Sequence, residues 1–511
     1  MVGCIMNLLN FTGLIVIPLI SSPIVYLAGR LGTHETTLHG RSYLVRLLAF
    51  LAVLAAWIPF IVSAQTFFLR GTQEFNVSTI WLRVDGISLF MAGCVLLLGT
   101  LVILFSGSYM AGEVGEEKYY AMLLAMMGLM IGLVSASDLF NLWVWFEAMA
   151  ISSYLLVAFY REQPASLEAG MKYLVQSATG SVLVLIGVAL VLAQTGTLDM
   201  AEISGAAAGA GVNRLAMLGA GALFIIGFGV KVALVPLHTW LPDAHSQAPS
   251  GISAMLSGVV IEIGLIAMLR SLAVLTGFAL SWGILLMAFG ALNILYGNLL
   301  ALRQTLVKRL LAYSSLSHIG YILIGLGLAL YSGVGMGAQG AFFHVFNHML
   351  MKGLAFLAVG ALMYGMFLQN GSHRALKVEH LAGAAQKYPL AALAFSIAVL
   401  ALGGMPPLAG FMSKWQIFVA GFQTGNIWVI ALMVFMALNS VLSLGYYAPL
   451  VNLMYRQEPS QRVLAGKPIT WTVALPLVVM TLLVIALGFF PGLMDWFTIP
   501  AGEQFMQIFG N

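Results

Sequence analysis

The segment FIIGFGVKVALVPLHTWLPDAH, residues 224–245, places a lysine in a stretch that otherwise has the character of a membrane-spanning helix. Lys231 has apolar residues on both sides, and a charge near the centre of a bilayer costs roughly 2.5–3.5 kcal/mol on insertion scales. Pro236 follows five residues later and removes a backbone hydrogen-bond donor. The segment therefore predicts a broken helix that holds a lysine within the membrane for a functional reason.

The composition of the whole chain is that of a membrane protein. Of its 511 residues, 61% are hydrophobic and only 8% are charged, whereas soluble domains have about 25% charged residues. A helix needs roughly 20 apolar residues to cross a bilayer. We therefore predict an all-α polytopic membrane protein with about fourteen transmembrane segments, at 7–28, 44–67, 86–109, 119–136, 139–160, 168–194, 216–236, 252–276, 281–302, 308–331, 338–366, 388–421, 427–454 and 470–492.

Two of these segments, 338–366 and 388–421, are longer than one crossing requires, and both are candidates for interrupted helices. In the second, two adjacent glycines precede Pro406 and Pro407, a run that cannot be regular helix throughout. Broken backbone at membrane depth is tolerated only where it is buried in protein or lines a wet cavity. The proline pair is therefore predicted to mark a second helix break.

The two breaks form a weak internal repetition. Lys231 stands close to Pro236 in the seventh segment, and Lys414 stands close to Pro406 and Pro407 in the twelfth. Because five segments, an odd number, separate the two positions, two five-helix units would cross the membrane in opposite directions. Inverted repeats with interrupted helices are typical of transporters, which place their ion site at the break.

The basic residues are distributed unequally between the loops. Of the 22 Lys and Arg residues, 15 lie in loops that follow odd-numbered segments and four in loops that follow even-numbered ones. By the positive-inside rule, the odd-numbered loops face the cytoplasm and both termini face the outer side. Positive charge scattered in this way does not predict nucleic-acid binding.

With the segment ends left aside, we single out a short set of titratable residues inside the predicted segments: Glu147, Lys231, Glu262, His344, His348, Lys352 and Lys414. His344, His348 and Lys352 are spaced by four residues and so share one helix face. Glu147 and Lys231 carry opposite charges in different segments and could neutralise each other. A counter-charge that moved away would favour release of the lysine proton, and a row of such groups bridged by water has the chemistry of proton transfer.

The remaining sequence offers little catalytic chemistry. The two cysteines, Cys4 and Cys94, cannot supply an iron–sulfur cluster, and no disulfide is expected because both lie in or near apolar helix. No nucleophile–base triad, phosphate-binding glycine loop or cofactor motif is apparent in the sequence. We predict that this chain carries no cofactor and performs no redox chemistry by itself.

Several segments between about Tyr119 and Tyr455 resemble the antiporter-like subunits of respiratory complex I and their relatives, the Mrp-type cation/proton antiporters and the membrane-bound hydrogenases. These segments are SDLFNLWVWFEAM, KVALVPLHTWLPDAHSQAPSGISAMLSGVVIEIG, LVKRLLAYSSLSHIGYI, FHVFNHMLMKGLAFL and GGMPPLAGFMSKW. Long motifs in the same order are far more specific than one short pattern.

The resemblance implies a fourteen-helix core with two inverted five-helix repeats, segments four to eight and nine to thirteen, and with broken seventh and twelfth helices. The expected organisation is three N-terminal helices (1–118), a first repeat with Glu147 and Lys231 (119–277), a second repeat with Lys352 and Lys414 (278–455), and a C-terminal helix with its tail (456–511).

The resemblance also implies roles for individual residues. In this family a glutamate of the fifth helix pairs with the lysine of the seventh, which correspond here to Glu147 and Lys231. His344 and His348 of the eleventh helix belong to the polar axis that joins two half-channels, and Lys414 is the lysine of the twelfth helix.

One position departs from the family pattern. The eighth helix of the family usually has a lysine in a motif like SGVLxKxG, where this chain has SGVVIEIG with Glu262. Glu262 would either favour a bound cation such as Na⁺ or pass protons itself. A local ion pair with Arg270 is the weaker alternative, because eight residues span two helical turns.

These features predict a proton- or sodium-translocating, non-redox subunit of a complex I-type pump of NADH dehydrogenase or hydrogenase type, in a prokaryotic plasma membrane. Its expected partners are the lipid bilayer and other membrane subunits, including further antiporter-like subunits, with iron–sulfur clusters, flavin or a NiFe centre only in partner subunits. The alternatives are a subunit of an Mrp-type Na⁺/H⁺ antiporter without redox chemistry and, less favoured, a self-contained secondary transporter. A quinone-processing enzyme is not favoured, because no quinone site emerges from these residues.

Overall fold

The computed structural model describes residues 2–31, 38–77, 79–207, 211–275, 277, 279–370 and 373–510. In that part of the chain, 13 helices are long and apolar enough to cross a membrane, and a shorter apolar helix accompanies them. The prediction of an all-α polytopic membrane protein is therefore confirmed, while the inverted repeats stay a prediction. Cys94 is buried and free, whereas the side chain of Cys4 lies outside the described residues.

The first half of the chain contains the helices that position Lys231 and Glu262. They are α1 (Val2–Arg30), α2 (Leu38–Arg70), α3 (Gly86–Tyr109), α4 (Glu116–Ser135), α5 (Leu139–Val157), α6 (Pro164–Thr195), α7 (Met200–Ala207), α8 (Arg214–Val232), α9 (Trp240–Gln247), α10 (Ser250–Met255) and α11 (Ile261–Ala273). One π-helical turn, Leu256–Val260, joins α10 to α11, and the three pieces form a single crossing that is buried throughout.

The second half contains the helices that position the histidines and the second broken crossing. They are α12 (Ala279–Ala301), α13 (Val307–Ser332), α14 (Gly335–Met366), α15 (Ala384–Lys387), α16 (Pro389–Leu402), α17 (Ala409–Gln423), α18 (Ile427–Arg456), α19 (Gln461–Ala465), α20 (Trp471–Phe489) and α21 (Asp495–Ile508). Short 3₁₀ turns cover Leu368–Asn370, Val378–Leu381 and Pro491–Met494.

The structure confirms the predicted breaks in the seventh and twelfth crossings and rejects one in the eleventh. The residues between α8 and α9 contain Pro236, and those between α16 and α17 contain Pro406 and Pro407. The predicted interruption of 338–366 is wrong, because α14 runs unbroken for 32 residues. Length alone suggested that break, but no proline lies inside the helix, and a continuous helix can exceed a crossing by tilting or by extending past it.

A β-hairpin that the sequence did not predict connects α2 to α3. Its strands, β1 (Gln73–Val77) and β2 (Ile80–Val84), pair antiparallel. Asp85 follows directly and caps α3, since its Oδ1 accepts a hydrogen bond from the Ser88 backbone N–H at 2.8 Å. The hairpin thus fixes a carboxylate at the start of a buried helix.

Helix α14 occupies the centre of the protein, packed against α3, α13, α16, α17, α20 and α21. Almost every side chain along it is buried. A helix enclosed in this way cannot expose its polar residues to lipid, so its histidines and lysine must find partners inside the protein. Close helix contacts elsewhere rely on glycine: a Cβ atom on Gly227 of α8 would lie 2.6 Å from the Gly180 carbonyl oxygen of α6.

Candidate functional site: a buried polar axis

Lys231 lies in the last turn of α8 and is 1% exposed. Its ammonium donates hydrogen bonds to the hydroxyls of Tyr173 (2.5 Å) and Ser153 (3.0 Å). It lies 4.7 Å from the centroid of the Tyr173 ring, on the side of the hydroxyl that it bonds. The Tyr173 ring stacks on the Trp240 ring, with centroids 3.9 Å apart. A buried charge is tolerated here because hydroxyl and aromatic groups surround it.

The break after Lys231 exposes backbone groups that a neighbouring helix satisfies. Ala233 has a φ of +59°, in the left-handed region, and the helix does not continue. The side chain of Asn293 on α12 accepts a hydrogen bond from the Val235 N–H at 2.8 Å and donates one to the Ala233 carbonyl at 3.2 Å. One amide therefore replaces both helical bonds, which allows the interruption to persist in a buried place.

Glu147 does not touch Lys231. It lies on α5, the helix that also carries Ser153, but six residues earlier, or about 9 Å along the helix axis. Among the described residues no ion pair joins Glu147 to the lysine, and one of its carboxylate oxygens is buried without a hydrogen-bond partner. The structure therefore places the expected counter-charge in the same region without direct pairing.

Glu262 contacts a histidine of the central helix. Its Oε1 lies 2.7 Å from Nδ1 of His348, and both side chains are at most 1% exposed. Arg270, the alternative partner, instead bonds Asp85 through Nη2 at 2.8 and 2.9 Å. Glu262 consequently faces α14, and the arginine of the same helix bonds the carboxylate at the start of α3.

A third histidine, which the sequence analysis did not single out, connects the two predicted ones. His318 lies on α13, and its Nδ1 is 3.1 Å from Nε2 of His344. Its ring also stacks on that of His348, with centroids 5.2 Å apart. The three imidazoles are buried, so Glu262, His348, His318 and His344 form one row of titratable groups.

The row continues into the second broken crossing. Nδ1 of His344 lies 2.9 Å from the hydroxyl of Ser413 on α17, the residue before Lys414. The Lys414 ammonium donates to the hydroxyl of Ser440 (2.9 Å) and to the carbonyl of Leu402 (3.0 Å), the last residue of α16. The lysine thus bonds backbone that the break leaves free.

The two break lysines have similar surroundings. Lys414 lies 4.5 Å from the centroid of the Tyr321 ring, much as Lys231 lies near the ring of Tyr173, and each lysine bonds one serine hydroxyl. The two phenols, however, come from the sixth crossing (α6) and the tenth (α13). Because that separation is not five helices, the likeness of the two environments is not explained by a five-helix repeat.

Lys352 of α14 belongs to a neighbouring polar group. Its ammonium donates to the Leu311 carbonyl at 2.8 Å and to the Ser314 hydroxyl, both on α13. Lys308, which was not among the predicted site residues, lies in the first turn of α13, is buried and donates to the Ala248 carbonyl. His245 is also fully buried, and neither of its ring nitrogens has a hydrogen-bond partner.

Six of the seven predicted site residues are at most 2% exposed, and the seventh, Glu147, is partly buried. Glu262, His344 and His348 are joined in one row that ends next to Lys414, whereas Lys231 and Lys352 bond other groups. The described residues contain no group of three or more His, Cys, Asp or Glu side chains placed to hold a metal ion. The arrangement suits transfer of protons between neighbouring titratable side chains.

Comparison with known proteins gives matches along most of the chain. Residues 136–440 match the family described as NADH:quinone oxidoreductase/Mrp antiporter, transmembrane, and residues 71–120 match the N-terminus of NADH-ubiquinone oxidoreductase (complex I) chain 5. Among curated relatives, subunit N of the F420H2 dehydrogenase of Methanosarcina mazei is 32% identical over 86% of this chain and 90% of its own length. Subunit N of the NADH-quinone oxidoreductase of Trichlorobacter lovleyi is 35% identical over 83% of this chain and 84% of its own.

Another relative is longer than this chain. Hydrogenase-4 component B of Escherichia coli is 33% identical over 77% of this chain, but the match spans only 60% of that protein. Among solved structures, the membrane-bound sulfane sulfur reductase, an archaeal respiratory membrane complex, contains a chain that matches with a TM-score of 0.83 and 29% identity, covering 98% of both chains. A chain of the Mrp complex of Dietzia sp. matches with a TM-score of 0.84 at 23% identity, over 98% of this chain and 99% of that chain, which shows a common fold.

Proposed function

Since the chain belongs to the NADH:quinone oxidoreductase/Mrp antiporter transmembrane family, we propose that it is an antiporter-like, ion-translocating membrane subunit of a redox-driven pump. The pump would be of NADH dehydrogenase or hydrogenase type, in agreement with the relatives named above. Electron transfer in partner subunits would supply the free energy, and this chain would move the ion.

The row of buried groups from Glu262 to Lys414 is the observation that carries this proposal. Glu262 and His348 are in hydrogen-bond contact, as are His318 and His344, and His344 reaches the serine next to Lys414. A proton transfer requires heavy-atom separations of about 2.6–3.2 Å or one intervening water. Three of these contacts lie within that range, and the remaining step, between the stacked rings of His348 and His318 with centroids 5.2 Å apart, would pass through one intervening water.

We assign the protonation switches to the two break lysines. Lys231 would take and release a proton in the first half of the chain, with Glu147 as a counter-charge that approaches or withdraws. Lys414 would do so in the second half, next to Lys352. The hydroxyls of Ser153 and Tyr173 would hold the Lys231 ammonium between transfers. Release of the lysine proton would therefore require a rearrangement of these hydroxyls.

We favour the proton over Na⁺ as the ion that passes Glu262. One oxygen of this carboxylate contacts an imidazole that belongs to a row of imidazoles, and imidazole is the side chain that exchanges protons near neutral pH. A sodium site is built from several oxygen ligands, whereas the nearest bonded neighbour of Glu262 is a nitrogen.

The setting of the subunit belongs to the same proposal. The protein would lie in a prokaryotic plasma membrane with both termini on the outer side, as the loop charges predict. Its partners would be other membrane subunits, further antiporter-like ones among them. Iron–sulfur clusters, flavin or a NiFe centre would lie in partner subunits, and the two inverted repeats would be residues 119–277 and 278–455.

The test is ion transport by the intact parent complex in sealed proteoliposomes, with pH and Na⁺ followed together in the presence and absence of electron donor. We expect donor-dependent proton movement that survives removal of sodium and is abolished by Lys231→Ala. The matched control is Lys467→Ala, which removes an exposed lysine whose ammonium bonds the Gln369 carbonyl.

Three outcomes would contradict the proposal. Cation exchange without any donor would assign the chain to an Mrp-type antiporter. Solute transport by the purified chain alone would make it a self-contained transporter. Normal donor-driven transport by an assembled Lys231→Ala complex would remove the lysine from the mechanism.

A further inference from the structure

A cavity of about 710 Å³ opens where α1, α4 and α5 meet, and it shares no lining residue with the buried polar axis. Its wall is mainly apolar, with Tyr26 from α1, Met122 from α4, and Leu155 and Phe159 from the end of α5. Its volume is within the range of roughly 300–1,000 Å³ that is usual for pockets that hold a small molecule. The proposed transport function gives this cavity no role.

Three cationic side chains line the same cavity: Arg30, Lys118 and Arg161. Arg30 lies 3.4 Å from a carboxylate oxygen of Glu117 and 5.7 Å from the centroid of the Tyr26 ring. Lys118 and Arg161 have no ion-pair partner among the residues that the structure describes. Two positive charges are therefore available to an anion that enters the cavity.

Two carboxylates also line the cavity, and they do not neutralise those cations. Oε1 of Glu113 lies 3.6 Å from Nε2 of His373, whose ring packs on the Tyr160 ring with centroids 4.7 Å apart. Burial raises the pKa of Glu113, an effect that the nearby His373 opposes. The other carboxylate, Glu162, is exposed. The acidic groups are thus either engaged with a histidine or open to solvent.

The cavity lies at the ends of membrane-spanning helices, where we expect the membrane surface. Its polar lining comes from the ends of α1 and α5 and the start of α4, on the side that the loop charges predict to be cytoplasmic. Below it along the same two helices, Ile24 is 50% exposed and Ile151 is 42% exposed. Positive charge above and apolar surface below match the phosphate and the acyl chains of a lipid.

We propose that this cavity binds an anionic glycerophospholipid of the cytoplasmic leaflet. Its phosphate lies between Lys118 and Arg161, and its acyl chains follow Leu155 and Phe159 toward the exposed apolar faces of α1 and α5. The chemistry that selects the ligand is a phosphodiester carrying net negative charge, attached to apolar chains.

The experiment uses the intact complex, delipidated in detergent and offered phosphatidylglycerol or phosphatidylcholine, with retained lipid counted by native mass spectrometry. We expect preferential retention of phosphatidylglycerol. Lys118→Gln/Arg161→Gln should weaken it about thirty-fold, because each cation near a membrane surface contributes about five-fold to binding of anionic lipid. The matched control, Arg303→Gln/Arg456→Gln, removes two exposed cations from the same side and should retain the lipid as the wild type does.

Three results would overturn the proposal. Undiminished phosphatidylglycerol retention by the Lys118→Gln/Arg161→Gln variant would show that the lipid binds elsewhere on the complex. Equally tight binding of soluble glycerophosphoglycerol would identify a site for small anions, without a need for acyl chains. A side chain of a partner subunit that crosslinks into the cavity of the intact complex would identify a protein interface.

Discussion

His318 offers the sharpest perturbation of the proposed proton path, because it is the only described group that contacts both His348 and His344 through its ring. His318→Phe keeps an aromatic ring of similar shape between its neighbours and removes both nitrogens. The centroids of His344 and His348 lie 6.5 Å apart, so these two rings cannot take over the contact directly.

The magnitude follows from the contact that is lost. Proton transfer works over about 2.6–3.2 Å or through one water. Without His318 the 3.1 Å contact with His344 is lost, and the proton could reach His344 only through a water in an apolar gap. We expect donor-driven proton transport to fall at least about tenfold, which corresponds to roughly 1.4 kcal/mol on the barrier. The unpaired nitrogen of His344 should destabilise the fold by about 1–3 kcal/mol, which is compatible with assembly.

The assay compares donor-driven pH change and donor oxidation in proteoliposomes for wild type, His318→Phe and His380→Phe. The last variant exchanges a histidine in a loop, outside the polar axis, and should transport normally. If His318→Phe assembles and transports at more than half the wild-type rate, the row of histidines is packing and the path runs elsewhere.

Two further predictions concern stability. Asp85→Ala leaves the buried Arg270 without its partner and should lower the free energy of unfolding by about 3–5 kcal/mol, as measured by thermal unfolding in detergent. The double variant Asp85→Ala/Arg270→Leu should recover at least half of that lost stability. If the losses of the two single variants simply add in the double variant, the pairing is contradicted. Burial, and next the Arg462 guanidinium, lower the pKa of His380 below its ordinary value. The stability that neutral His380 contributes is therefore complete above about pH 6.5 and declines as the pH falls below it. Hydrogen exchange of residues 378–387 should accelerate below that pH. If it accelerates equally in His380→Phe, protonation of His380 is not the cause.

The sequence was informative where one residue conflicts with its surroundings. Lys231 and Lys414 stand in apolar runs next to prolines, and the structure has a broken helix beside each of them. Charge and proline are local signals that need no knowledge of the fold. The length of 338–366 led to a wrong prediction of a helix break, because length without a helix-breaking residue does not interrupt a helix, and α14 is continuous.

His318 and the partner of Glu262 required the third dimension. A single histidine among the small polar residues of LAYSSLSHIGY cannot be distinguished from a packing histidine, and only the packing of α13 against α14 gives it a role. Likewise, nothing local indicates that Arg270 bonds Asp85, 185 positions away. Glu147 is a case in which the sequence suggested a contact that the structure does not show: it was expected to pair with Lys231, and the two side chains are not bonded to each other.

The π-helical turn before Glu262 sets which way this carboxylate points. A π turn accommodates one extra residue, and each residue of a helix turns the next side chain by about 100°. If the same five residues, Leu256–Val260, formed ordinary helix instead, the residue that the turn absorbs would no longer be accommodated, and Glu262 would rotate away from His348 by up to about 100°. The turn therefore sets the register of the polar axis: regularising it without a deletion would disconnect the carboxylate, whereas deleting the absorbed residue would keep Glu262 facing His348, and neither change alters a residue of the row.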